Sequence, residues 1–244
     1  EQAAMSVDQT SSLPKSRKLA IAAAYFAAYL LLGLMLTSVG PAMSDLEAQT
    51  GGSTAAILRL VVVMSAGYIV GSIVGGRFYG RVPGNPILAG SLVVMAGLTV
   101  TIPWLSALWL LVLMFALIGV ALGLMDVGGN TLMVWLYGSE VPPYLNALHL
   151  CFAIGALVGP LVMNGIAAGA GNAAQTYWLY AGLMVPAALW LFAVLSPKDP
   201  AAATPSPSRI RPRRMCSVPT YSWCRRAASS RAIWRTFRTR SVKL

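Results

Sequence analysis

Residues 119–137, GVALGLMDVGGNTLMVWLY, hold the one carboxylate that interrupts the long apolar runs of this chain. An acid in the middle of a membrane helix costs about 2.5–3.5 kcal/mol on insertion scales, so it normally faces a watery cavity or a partner. Asp126 is therefore the first candidate functional residue. Asn130 and Tyr137 follow it at helical spacing, with Met133 between them, and place a polar stripe on one helix face. Gly128 and Gly129 lie beside the acid and are expected to loosen the backbone there.

Outward from this stretch the chain is 57% hydrophobic and only 10% charged, against about 25% charged in an ordinary soluble domain. This is the composition of a membrane protein. The net charge of +11 resides in the tail, because 12 of the 18 Lys and Arg residues lie from Lys198 onward. That distribution argues against a nucleic-acid partner, which would be met by a basic patch on the folded body. Cys151, Cys216 and Cys224 form neither a disulfide framework nor a zinc motif.

Six apolar stretches are long enough to cross a bilayer, each needing about 20 residues: 19–39, 53–76, 86–102, 108–136, 144–167 and 177–196. The first is too long for the apolar core of a cleaved signal and is expected to stay as an anchor. Gly67, Gly71 and Gly75 give the second span a small-residue face for close helix packing. Asn146, His149, Pro160 and Asn164 form a polar stripe along the fifth. Basic residues flank the first span, the second-to-third loop and the C-terminal segment. The bias predicts both termini in the cytoplasm.

The expected organisation is a cytoplasmic segment over 1–18, a six-helix transmembrane bundle over 19–196, and a basic, unstructured tail over 197–244. That tail, beginning KDPAAATPSPSRIRPRR, changes composition so abruptly that it reads as frameshifted or non-native sequence, with contact to anionic lipid as the plainer alternative.

Two segments, LMDVGGNTLMVWLYG (124–138) and NALHLCFAIGALVGPLV (146–162), resemble the branch of the major facilitator superfamily that contains fucose-proton symporters and sodium-dependent glucose transporters. The loop GGRFYGRVPGNP (75–86) resembles the superfamily signature between spans two and three. Gly76, Arg81 and Gly84 match it and Arg77 lies inside it, while Gly80 stands at the signature's Asp and Asn85 at its basic position. GALVGP (155–160) resembles the core of an antiporter motif.

The resemblance implies an all-α membrane protein, with six transmembrane helices forming one half of a major facilitator superfamily fold in the plasma (inner) membrane. It implies a secondary active transporter of a small hydrophilic solute, a sugar first, working by alternating access with H+ or Na+ as coupling ion and no cofactor or metal. Asp126 would then bind substrate and couple the ion. Asn130, Asn146, His149, Tyr29 and Ser38 are the further substrate-site candidates, Ser38 standing where the symporters carry an acid on span one. Gly76, Arg77, Arg81 and Gly84 would form the gating loop. The partners expected are the solute, membrane lipid, and a second six-helix half or a homodimer partner.

A drug or metabolite exporter of the same superfamily is the alternative, on GALVGP and the absent span-one acid. An intramembrane serine protease is the enzyme alternative. It needs a Gly-x-Ser nucleophile paired with His, and no span contains that pattern.

Overall fold

The computed structural model describes residues 13–169 and 171–198. The tail assigned to 197–244 lies outside the described residues apart from its first two positions, as do most residues of the N-terminal segment. Among the described residues the chain is all helical. In order the helices are α1 (Lys15–Leu36), α2 (Met43–Thr50), α3 (Thr54–Phe78), α4 (Gly84–Thr101), α5 (Leu108–Tyr137), α6 (Pro142–Ala168) and α7 (Ala173–Ala193). All but α2 are long and apolar enough to span a bilayer, giving six crossings. In that solvent every backbone group must be satisfied internally, and helices achieve this.

The spans pack chiefly as pairs: α3 lies along α5, α1 along α6, and α4 along α7 and α5. Lipid supplies no hydrophobic drive to bring helices together, so close packing at small residues does the work. Along α3 and α5 the glycines interlock reciprocally. A Cβ on Gly67 or Gly71 would overlap the carbonyls of Ala116 or Val120, and one on Gly119 or Gly123 would overlap those of Met64 or Tyr68. The second pair repeats the device, with Gly33 under the Phe152 carbonyl and Gly155 under that of Leu30. Gly155 and Gly159 of GALVGP are thus packing residues against α1.

Three details depart from the sequence reading. The loop after the first span contains α2, which the charges of Asp45 and Glu47 disguise. It straps one end of the bundle: Asp45 Oδ2 accepts from the Ala173 amide at the start of α7, and Gln49 Nε2 donates to the Ile102 and Leu105 carbonyls at 2.8 and 2.7 Å. The sixth span begins earlier than 177, because Asn172 caps it by accepting from the Gln175 amide. Finally, α5 runs unbroken through Gly128 and Gly129, so these glycines do not loosen it.

The other end of the bundle is tied by Asn85, whose side chain is buried. The Tyr25 hydroxyl donates to its Oδ1 at 2.6 Å, and its Nδ2 donates to the Val194 carbonyl at 3.1 Å. Its backbone amide donates to Ser196 Oγ. One residue thereby joins α1, α4 and the chain leaving α7. Asn85→Leu strands the Tyr25 hydroxyl and the Val194 carbonyl, at about 1–3 kcal/mol for each buried polar group left unpaired. The expected result is a lower unfolding temperature in detergent, read by tryptophan fluorescence.

Candidate functional site

Asp126 projects from α5 toward α1 and α3, where two tyrosines meet it. Tyr68 of α3 donates its hydroxyl to Oδ2 at 2.6 Å. Tyr29 of α1 lies 2.6 Å from the Asp126 backbone carbonyl and 3.2 Å from Oδ1. A phenol has one proton, and the short contact takes it. Asn130, one turn on, donates from Nδ2 to the Tyr29 hydroxyl and the Asp126 carbonyl, both at 2.9 Å, with a longer 3.3 Å approach to Oδ1. The short bond made by the carboxylate itself is therefore the one from Tyr68.

The glycines beside the acid explain how such bulky groups fit. A Cβ on Gly129 would collide with the Tyr29 ring, and one on Gly128 with the Tyr79 ring. Only hydrogen side chains at both positions admit two tyrosines against α5. Tyr79, in the loop after α3, donates to the Leu124 carbonyl at 3.0 Å. Burial raises its phenol well above the usual range, keeping it protonated as that donor.

Beside the carboxylate opens a cavity of about 370 Å³ lined by Leu32, Leu36, Ser65, Tyr68, Asp126, His149 and Phe152. His149 of α6 is exposed and meets Tyr29 edge-on, with ring centroids 6.1 Å apart. Four helices thus line the cavity: α3, α5 and α6 present a phenol and a hydroxyl, a carboxylate, and an imidazole, among leucine walls from α1 and the Phe152 ring. Such a lining offers acceptors and donors to a hydroxylated solute and apolar faces to its C–H surface.

The structure brings Asp126, Asn130, Tyr29 and His149 together. Asn146 is exposed on α6 about one turn before His149 and does not line the cavity. Ser38 stands apart: it follows the end of α1, nine positions from Tyr29, is fully buried, and donates to the Met35 carbonyl at 2.8 Å. The helix that carries Tyr29 ends before Ser38, which removes it from the Asp126 level. Of the signature stretch, Gly76 and Arg77 lie in the last turn of α3 and Gly84 begins α4, which leaves Arg81 in the loop between them. Arg77 is exposed and donates to the Ile73 carbonyl, and Arg81 is exposed. A Cβ on Gly84 would strike the Leu132 side chain of α5, whereas Gly76 has open space around it.

Tyr68 was not among the sequence candidates. Its signal was present but faint: Ser65, Tyr68 and Ser72 fall on one face of an otherwise apolar span.

These features define an all-α, multi-pass membrane protein that carries a polar, carboxylate-centred cavity between its helices. The chain belongs to the Major Facilitator Superfamily, whose family model matches residues 25–243, a family of transporters and not of enzymes. It is similar to the human protein named sodium-dependent glucose transporter 1, at 34% identity over 139 residues, covering 56% of this chain and 26% of that protein. Its zebrafish (Danio rerio) counterpart is 31% identical over 143 residues, 58% of this chain and 24% of that protein. Major facilitator superfamily domain-containing protein 4A of Xenopus tropicalis is 29% identical over 141 residues, covering 57% and 28% respectively. The matches thus span about a quarter of the length of these relatives.

Proposed function

We propose that this bundle forms one wall of a secondary active transporter that moves a small hydrophilic solute, a sugar first, by alternating access. The observation that carries the reading is the Asp126 carboxylate, bonded by Tyr68 and opening on a cavity it shares with His149 and Phe152. A carboxylate accepts from sugar hydroxyls while an aromatic face receives the C–H side of the ring. The names of the relatives, sodium-dependent glucose transporters, support the same substrate class. Asp126 and Asn130 bind the solute, with Tyr29 behind them and His149 across the cavity. Asp126 also couples H+ or Na+, and Arg77, Arg81, Gly76 and Gly84 belong to a gating loop.

A second six-helix half, or a second copy of the chain, completes the cavity. Exposed His149, Ser65 and Asn146 share the outer faces of α3 and α6 with Val62, Ile69, Leu157 and Leu161. Hydrocarbon cannot satisfy that imidazole and amide, whereas a facing protein wall can. The bundle spans the plasma (inner) membrane with both termini cytoplasmic, following the placement of basic residues. Lipid contacts the rest of its surface.

The exporter of drugs or metabolites is the competing reading. Its motif-based support is weakened by the packing role of Gly155 and Gly159, while a carboxylate beside leucine walls and the Phe152 ring also suits a cationic solute. A panel of radiolabelled hexoses and cationic dyes, offered to cells expressing the full gene under proton or sodium gradients, separates the two. Hexose accumulation is the expected outcome; dye extrusion without hexose uptake favours the exporter.

A further inference from the structure

The two phenols at Asp126 are held very differently. Tyr29 is 1% exposed, its ring fills the notch above Gly129, and its oxygen lies among the Asp126 carbonyl, Oδ1 and the Asn130 amide. It has nowhere to go. Tyr68 is only half-buried, lines the cavity, and its hydroxyl makes the one bond to Oδ2 found among the described residues. The backbone beneath it is fixed by the Gly123 contact on α5 and by Ser72, whose hydroxyl donates to the Tyr68 carbonyl at 2.9 Å. The ring can swing about its side-chain torsions without disturbing the helix pair.

A carrier that works by alternating access crosses the membrane loaded and returns empty. An acid stripped of donors is costly in that setting, so the empty carrier must keep either water or a protein donor on the carboxylate, and Tyr68 is a protein donor already in place. A phenol and a sugar hydroxyl are the same kind of donor to a carboxylate oxygen. Exchanging one for the other leaves the number of bonds to Oδ2 unchanged, and neither form carries a buried unpaired acceptor.

We infer that Tyr68 is a built-in stand-in for the solute: its hydroxyl holds Asp126 Oδ2 in the empty carrier and gives way to a solute hydroxyl on binding. The inference rests on the transport reading above and adds a specificity consequence to it. The solute must bring an O–H or N–H donor to Oδ2, so an analogue lacking the one hydroxyl that replaces the phenol competes poorly against Tyr68.

The test is Tyr68→Phe in the full-length transporter, reconstituted in liposomes, with net uptake and solute counterflow measured side by side. Net uptake requires the empty return; counterflow, with solute on both sides, does not. The expected result is net uptake reduced by about tenfold or more, from the lost hydrogen bond to a charged group, with counterflow within about twofold and a lower KM for the solute. Equal loss of both at normal protein yield assigns Tyr68 a purely structural role and overturns the inference, as does unchanged net uptake. Should Tyr68→Phe reduce yield, Tyr68→His, which keeps a donor on a shorter arm, is expected to restore net uptake in part; no recovery at normal yield also overturns it. Absence of any transport by the unsubstituted protein removes the transport reading itself, a separate outcome.

Discussion

Asp126→Asn is expected to abolish accumulation of the solute against its gradient while leaving slow downhill flux. The amide nearly matches the carboxylate in size, so Tyr29 and Asn130 keep their bonds to the residue 126 carbonyl. What changes is the charge. The amide oxygen can still accept from Tyr68, but the NH2 group then turns a donor where an acceptor stood, and no coupling ion is drawn to the site. Hydrogen bonds to charged groups contribute about 1.5–3 kcal/mol, so solute affinity should fall by about 10- to 100-fold as well. Accumulation ratios in proteoliposomes, with and without an imposed proton or sodium gradient, measure both effects. Unchanged accumulation in the variant refutes the coupling role.

The second large effect is structural and lies in the interface of the same helix pair. Gly71→Leu is expected to prevent α3 from seating on α5. The added Cβ meets the Val120 carbonyl, carbonyl carbon and Cα, and backbone atoms cannot rotate away as a side-chain end could. Overpacking in an established interior costs about 1–3 kcal/mol even where neighbours adjust, and here adjustment means parting the two helices that carry Tyr68 and Asp126. Loss of monodisperse protein in detergent and loss of transport are expected together. Gly97→Ala on α4 is the contrast, since nothing lies within 4 Å of a Cβ there. It should leave yield unchanged or raise stability by up to about 1 kcal/mol, the helix-propensity gain. A well-behaved Gly71→Leu protein would show that the close approach is dispensable.

Both outcomes bear on how far the chain could be read without its structure. The spans were legible because a bilayer admits so few solutions: an apolar run of about 20 residues has to become a helix. Their ends shifted where a local cap decided the boundary, as Asn172 does for α7. The short helix α2 was hidden because its eight residues carry two acids and only Met43 and Leu46 as large apolar side chains, and it gains its place by burying Leu46 in the core and by strapping the start of α7 and the Ile102–Leu105 turn. Gly67, Gly71 and Gly75 were legible as a packing face through their fourfold spacing. Gly128 and Gly129 were not, because nothing in sequence distinguishes a glycine that loosens a helix from one that makes room for a tyrosine.

The candidate site divides along the same line. By itself the amino-acid sequence determined that this is a multi-pass membrane protein and that Asp126 is its costly interior charge, since hydropathy and the price of an ion in hydrocarbon act residue by residue. The polar partner on the same helix, Asn130, followed from the helical period. Tertiary structure alone decided which groups from other helices meet that charge. It brought in Tyr68 from α3 and Tyr29 from α1, set His149 across the cavity, and left Ser38 buried at the end of its helix. Those choices depend on the rotation and depth of each helix against its neighbours, which are set by glycine notches matched between distant segments, and no single stretch of chain encodes such a match.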